Sequence, residues 1–153
     1  MLESFCGASY ETGYAQTGVL IKYCGMLVLW KASKQPQVPR STAESECTAM
    51  AHASQYLEGV ACLLHTVRLS IGVPSLYCDN RAAVHLTAGS SEWRTKALVN
   101  KIMGVRSLIE LGLVNVTFMP TNDMQADFLT KFMAAKVLTR QRKLAGVVSW
   151  SEA

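Results

Sequence analysis

Ser75-Leu-Tyr-Cys-Asp-Asn-Arg-Ala-Ala83 is the stretch on which the fold of this chain turns. Leu76, Tyr77 and Cys78 make a short apolar run behind Gly72 and Pro74, and Ala82 to Leu86 can begin a helix. The pattern is a buried strand that feeds a helix. Asp79 stands at the junction. In an open α/β sheet, ligands bind in the crevice beyond the carboxyl ends of the strands, so an acid placed there faces whatever the protein handles. The plainer role for Asp79 is a helix cap, its oxygen accepting from first-turn amides. Carboxylates in matching positions elsewhere decide between the two.

On the N-terminal side, Phe5 to Tyr10 reads as a short first strand weakened by Gly7. Thr17 to Tyr23 and Met26 to Trp30 are rich in β-branched and large apolar residues, and Cys24-Gly25 between them suits a tight hairpin turn. Three strands in a meander are expected. Lys31 to Arg40, with Pro36 and Pro39, reads as an exposed basic loop. Ser41-Thr-Ala-Glu44 matches a capping box, in which hydroxyl and carboxylate each satisfy a backbone donor at a helix start. In the helix that follows, Cys47, Met50, Ala51, Ser54, Leu57, Ala61 and Leu64 recur at three- and four-residue intervals, a face suited to lie on a sheet. Gly59 costs this helix up to ~1 kcal/mol relative to Ala, so a bend or a close packing contact is expected there.

On the C-terminal side, Gly89 to Trp93 reads as a loop, and Lys96 to Leu111 as a helix interrupted by Gly104 and closed by Gly112. Leu113 to Met119 is a last strand, Pro120 to Asp123 a turn, and Gln125 to Leu138 a helix that Asp123 would cap. Basic residues at Lys131, Lys136, Arg140, Arg142 and Lys143 lie in and just beyond it. This order describes one α/β domain over 1–153, a mixed five-stranded sheet flanked by helices. With half of its 153 residues hydrophobic and 17% charged, the chain can bury a sizeable core, and disorder is excluded. No apolar run reaches the length of a membrane span and nothing signals secretion, so an intracellular location, cytoplasmic or nuclear, is expected. Cys6, Cys24, Cys47, Cys62 and Cys78 show no C-x-x-C spacing and read as reduced core residues. A net charge of +4 leans toward an anionic partner without deciding it.

Three carboxylates gain weight from their neighbours. Glu46 falls in the first turns of the long helix, Asp79 at a strand end, and Asp127 near the start of the last helix. Such positions can converge at one end of a sheet. Clustered carboxylates suit hard divalent cations, chiefly Mg²⁺ with several waters retained. Two such ions about 4 Å apart activate water and stabilise the leaving oxygen in phosphodiester hydrolysis.

The residues also resemble a known family. Lys31-Ala-Ser-Lys-Gln35, Arg40-Ser-Thr-Ala-Glu-Ser-Glu46, Leu76-Tyr-Cys-Asp-Asn80, Arg94-Thr-Lys96 and Ala126-Asp-Phe-Leu-Thr-Lys131 are similar, in order and spacing, to successive motifs of the ribonuclease H domain of copia-type LTR retrotransposon polyproteins. The resemblance implies a ribonuclease H-like fold and cleavage of the RNA strand of RNA–DNA hybrids by Mg²⁺ (or Mn²⁺) held on four acids. It also implies an adjoining reverse transcriptase domain as a partner. Glu46, Asp79 and Asp127 match the second, third and fourth acids, as catalytic and metal-holding residues. Glu46 is preferred to Glu44 because it stands three residues before Ala49, as the family's acid stands before its Ala. Lys31, Lys34, Arg40, Asn80, Arg94 and Lys96 are the candidates for contact with the nucleic-acid backbone, which the family reads by shape and 2′-hydroxyls rather than by sequence. His52, His65 and His85 lack metal-ligand spacing and are expected to be structural or surface residues.

One departure bears on chemistry. Where the family has its first Asp, Phe5-Cys-Gly-Ala-Ser9 offers Gly7, with Ser9 where a second acid is common. Glycine supplies no ligand, and Glu3, on the same face of an extended strand, is about 13 Å away at ~3.3 Å per residue. Metal binding is therefore expected to be weakened or lost. Two expectations follow: an impaired ribonuclease H, or an inactive module of the same fold that binds nucleic acid or supports a reverse transcriptase. Ala97 in place of the family's His and Cys47 in place of an aromatic are further departures, touching substrate contacts and helix packing.

Overall fold

Leu2–Glu11 (β1), Tyr14–Tyr23 (β2) and Met26–Lys34 (β3) form the expected antiparallel meander in the computed structural model, which describes residues 1–11, 13–89 and 96–147. Cys24 and Gly25 both hold positive φ, 51° and 82°, the mirror-image turn whose twist matches its flanking strands. The meander runs longer than its hydropathy suggests. Lys31 to Lys34, read above as loop, pairs with Gln16 to Val19 as the end of β3. As an edge strand exposed along most of its length, β3 buries no continuous face, so its hydropathy carries no strand signal past Trp30. Gln35 is buried instead of solvated: its Nε2 donates to Thr17 Oγ1 (3.0 Å) and to the Ser45 carbonyl (2.9 Å).

Ser41 caps the long helix α1 (Thr42–Thr66), its hydroxyl accepting from the Glu44 amide at 3.1 Å. The Glu44 carboxylate accepts from the Arg40 amide (2.6 Å), one residue earlier than a capping box requires. Cys47, Ala49, Met50, Ala53 and Leu57 are buried with Cys6, Ala8, Val19 and Ile21 of the sheet, and Cys47 is fully covered where the family has an aromatic. Gly59 is exposed, and a Cβ added there would meet nothing within 4 Å, so the expected close packing contact is absent.

Ser75–Cys78 (β4) runs parallel to β1, Arg81–Thr87 (α2) and Lys96–Glu110 (α3) follow, and Asn115–Phe118 (β5) pairs parallel with β4. The sheet order is β3-β2-β1-β4-β5, a mixed five-stranded sheet as expected. α3 continues through Gly104 without interruption. Positions 90–93 of the expected loop lie outside the described residues. Cys24 and Cys62 are exposed, unlike the buried Cys6, Cys47 and Cys78, and all five are free. His65 and His85 are exposed and His52 half-buried. No helix among the described residues is long and apolar enough to cross a membrane.

The expected helix over Gln125–Leu138 is absent. Thr121–Asp123 and Asp127–Leu129 are single 3-10 turns, and the last helix, α4, spans Ala135–Ala145. Packing against β2 explains the change. A Cβ added at Gly18 would lie 2.7 Å from Thr130 Cγ2, 2.8 Å from the Ala126 carbonyl and 3.0 Å from Leu129 Cβ. An α-helix with its side chains is about 10–12 Å across and cannot bring backbone that close to a strand, whereas a tight turn can. Asp123 consequently caps nothing; its carboxylate faces Arg140 of α4 at 3.8 Å. A second core forms on this face from Phe5, Leu20, Met124, Ala126 and Ala145, with Phe5 stacked on Tyr77 at 5.1 Å.

The two glycines should respond oppositely to alanine. Gly18→Ala forces the 126–130 turn off the sheet and should lower the unfolding free energy in urea by about 1–3 kcal/mol. Gly59→Ala, in open solvent on α1, should raise it by roughly 0.5–1 kcal/mol.

Candidate active site

β4 stops at Cys78, the parallel partner of Cys6, while β1 continues to Glu11. Beyond that stop, the amide of Ala8 donates to Glu46 Oε1 at 3.1 Å. Glu46 thus reaches from α1 to the open flank of β1, and its Oε2 lies 4.0 Å from the Cys78 thiol. Asp79 follows directly. It is not the cap of α2: Asn80 takes that role, its Oδ1 accepting from the Ala83 amide at 3.0 Å, and the Asp79 carboxylate accepts instead from Thr121 Oγ1 at 2.9 Å. Ligand atoms of Glu46, Cys78 and Asp79 all lie within 4.8 Å of one another.

Asp127 arrives from the opposite face of the sheet. The turn that lies on Gly18 also sets Asp127 beside Gly7, the strand partner of Gly18. A Cβ at Gly7 would stand 3.3 Å from Asp127 Oδ1, so the Asp127 carboxylate leans into the space a side chain there would take. Asp127 is 4% exposed; its Oδ2 pairs with Lys131 Nζ at 2.9 Å, and its Oδ1 is buried with no hydrogen-bond partner.

The electrostatics follow from burial and crowding. Burial, then the neighbouring charge of Asp79, pushes the Glu46 carboxyl up to about 8, against the Ala8 amide and the Lys131 charge, which pull it down. Asp127 is also raised, first by burial, while its bond to Lys131 opposes the rise. Glu44 behaves differently: the Arg40 amide and then Lys101, 3.2 Å away, hold it below the ordinary range in spite of partial burial. A divalent cation fits the two carboxylates, Glu46 and Asp79, that converge there with the Cys78 thiol; Asp127 Oδ1, outside that convergent set, is buried without a partner.

The basic candidates are more scattered. Lys31 and Lys34 are exposed on β3, with Lys34 Nζ 5.4 Å from the ring centre of Tyr14, and Arg40 is exposed just ahead of α1. Asn80 is engaged in its cap. Arg94 lies outside the described residues; Lys96 opens α3, and its side chain and that of Ala97 are likewise outside them. Thr121 and Lys131 bond to the acids but are not singled out by residue type. Their signal is position: Lys131 stands four residues after Asp127, and Thr121 follows the last strand.

No protein-family model matches the chain. It is 29% identical over 138 residues to the retrovirus-related Pol polyprotein from transposon RE2 of Arabidopsis thaliana, a match covering 88% of this chain. It is 31% identical over 127 residues to the corresponding RE1 polyprotein of the same plant, covering 81%. The RNase H1 of the halophilic archaeon Halobacterium salinarum NRC-1 superposes with a TM-score of 0.65 at 17% identity, covering 91% of this chain and 98% of that one. LC11-RNase H1, solved in complex with an RNA/DNA hybrid, gives 0.68 at 14% identity, covering 90% and 99%. The chain belongs to the ribonuclease H-like domains of copia-type Pol polyproteins. This ribonuclease H-like domain spans only about a tenth of the polyproteins it matches, 10% of RE2 and 9% of RE1.

Glu46 should leave a signature in stability. Its proton is held more tightly in the folded domain than in the unfolded chain, so the folded state carries the excess proton between the ordinary carboxylate value of 4.5 and about 8. Stability must therefore fall as pH rises through that window, by at most about 1.4 kcal/mol per pH unit for one such group. Urea unfolding in chelator from pH 5 to 8 should show this decline, and Glu46→Gln should flatten it.

Proposed function

We propose that this domain is a retroelement-type ribonuclease H, hydrolysing the RNA strand of RNA–DNA hybrids at Glu46, Asp79 and Asp127, with activity reduced because Gly7 replaces the first acid. The observation that carries the reading is the approach of Glu46, from α1, to Asp79, at the end of β4, with Asp127 buried beside Gly7 on the turn over Gly18 and close enough for its charge to act on Glu46. Likeness in fold to an RNase H1 solved with an RNA/DNA hybrid supports the substrate class.

Mg²⁺ or Mn²⁺ would be held by the three acids, and when bound it supplies a Lewis acid that activates water and offsets phosphate charge. The chain's own groups prepare that site. The Ala8 amide aims Glu46, Thr121 aims Asp79, and Lys131 holds Asp127. Glu46 keeps its proton near neutral pH and must release it to act as a ligand, so occupancy should rise with pH. Lys31, Lys34 and Arg40, exposed on β3 and ahead of α1, supply cations for the duplex backbone.

Gly7 also favours a second reading, a module that grips nucleic acid or props a reverse transcriptase without cutting. A labelled hybrid separates the two. The domain should cleave it slowly with Mn²⁺ or Mg²⁺ and not at all with chelator; Asp79→Asn should abolish cleavage, and Gly7→Asp should speed it by roughly tenfold or more. Salt-sensitive binding with no cut, alongside cutting by Gly7→Asp, would overturn the first reading in favour of the second.

A further inference from the structure

α4 carries four cations, Lys136, Arg140, Arg142 and Lys143, and no acid in its 11 residues. A helix face that meets only water does as well with both signs interspersed, since acids three or four residues away offset the basic ones. The helix dipole explains part of the excess: it favours Arg142 and Lys143 in the last turn but opposes Lys136 in the first. Placement explains the rest. Lys136, Arg140 and Lys143 fall within about 60° of arc around the helix. All three are exposed and line an open groove of about 780 Å³, which Thr121, Asn122 and Asp127 line as well. Thr121 also donates to Asp79, so the groove begins at the acids. We propose that this groove holds one strand of the bound hybrid beyond the acids, with its phosphates on Lys136, Arg140 and Lys143.

Spacing and charge both suit a polyanion. From Lys136 to Lys143 the helix rises about 10 Å, the axial reach of roughly three nucleotides along one strand. Among the described residues Lys136 and Lys143 make no ion pair, and Arg140 meets only Asp123, at 3.8 Å with both side chains more than half exposed. Such an open pair is weak, and a phosphate can displace it. The wall of the groove is also set in advance. Gln141 Nε2 donates to the Asn122 carbonyl at 3.3 Å, tying α4 to the turn opposite, and Lys22 Nζ donates to the Leu144 carbonyl from β2. Little ordering of the backbone is then needed on binding. Arg142 is half-buried and does not line the groove, which makes it a control of equal charge.

The inference rests on the hybrid as substrate, proposed above, and a binding assay without metal separates the two. Anisotropy of a labelled RNA–DNA hybrid is followed in chelator from about 50 to 200 mM salt, where phosphate contacts make affinity fall steeply. Lys136→Gln, Arg140→Gln and Lys143→Gln should each make the slope of log affinity against log salt shallower by about 0.9. The triple variant, its folding checked by urea unfolding, should bind at least roughly tenfold more weakly near 100 mM salt. Arg142→Gln should stay within about twofold of the parent. A folded triple variant with the parent's slope and affinity would overturn the inference and leave the hydrolase reading intact. So would a loss in Arg142→Gln equal to that of each groove variant, the mark of charge acting without a site. Should the triple variant fail to fold, the single variants and Arg142→Gln decide. Groove-dependent binding with no cut once Mn²⁺ is added upholds the inference and removes the hydrolase reading. A parent that binds no hybrid at the lowest salt overturns the inference, and removes the hydrolase reading with it if it also fails to cut.

Discussion

The tight packing of the 126–130 turn on Gly18 is the contact on which the site depends. Ala126, Leu129 and Thr130 all approach where a β-carbon would stand, and such proximity leaves the turn almost no freedom to slide. Asp127 lies inside that turn, so its backbone is positioned by a strand far away in sequence. Because Gly18 and Gly7 are directly paired across β1 and β2, the same contact brings the Asp127 carboxylate against Gly7. A packing constraint on one strand thus sets a chemical group on the next.

The other half of the site follows from unequal strand lengths. β4 ends opposite Cys6, and Ala8 beyond it has an amide that needs an acceptor. Glu46 supplies it from α1, at the cost of burying a carboxylate beside Asp79. The result is electrostatic tension: burial and like charge raise both Glu46 and Asp127, and only the Ala8 amide, the Lys131 ammonium and any bound cation relieve it. A cluster built this way is poised for positive charge before any substrate arrives.

How much of this could be read from residue order depends on the range of the interaction involved. The strand–Asp79–helix junction is local, so its apolar run and helix start were visible; the rival capping role fell away because Asn80, the next residue, takes the Ala83 amide. The core face of α1 and the meander likewise follow from short periodicities. The end of β3 was hidden because an edge strand has no buried face to pattern. The last helix was misplaced because helical composition over Gln125–Leu138 is overridden by contact with Gly18, which no local window contains. The part Lys131 plays was hidden for the same reason: its spacing from Asp127 is plain, but only the turn closes their ion pair.

Gly7 itself has a physical logic. An Asp at that position would put its β-carbon 3.3 Å from Asp127 Oδ1 and add a carboxylate beside Glu46 and Asp127, which already resist ionisation. Without a cation, that added charge destabilises the fold. With Gly7, Asp127 leans into the space a side chain would take and Lys131 balances its charge. Ease of folding and the addition of a further carboxylate pull in opposite directions at this residue, as they commonly do where groups of like charge are packed together. The pairing of a neutral Gly7 with a cationic Lys131 lies toward the stable end of that range.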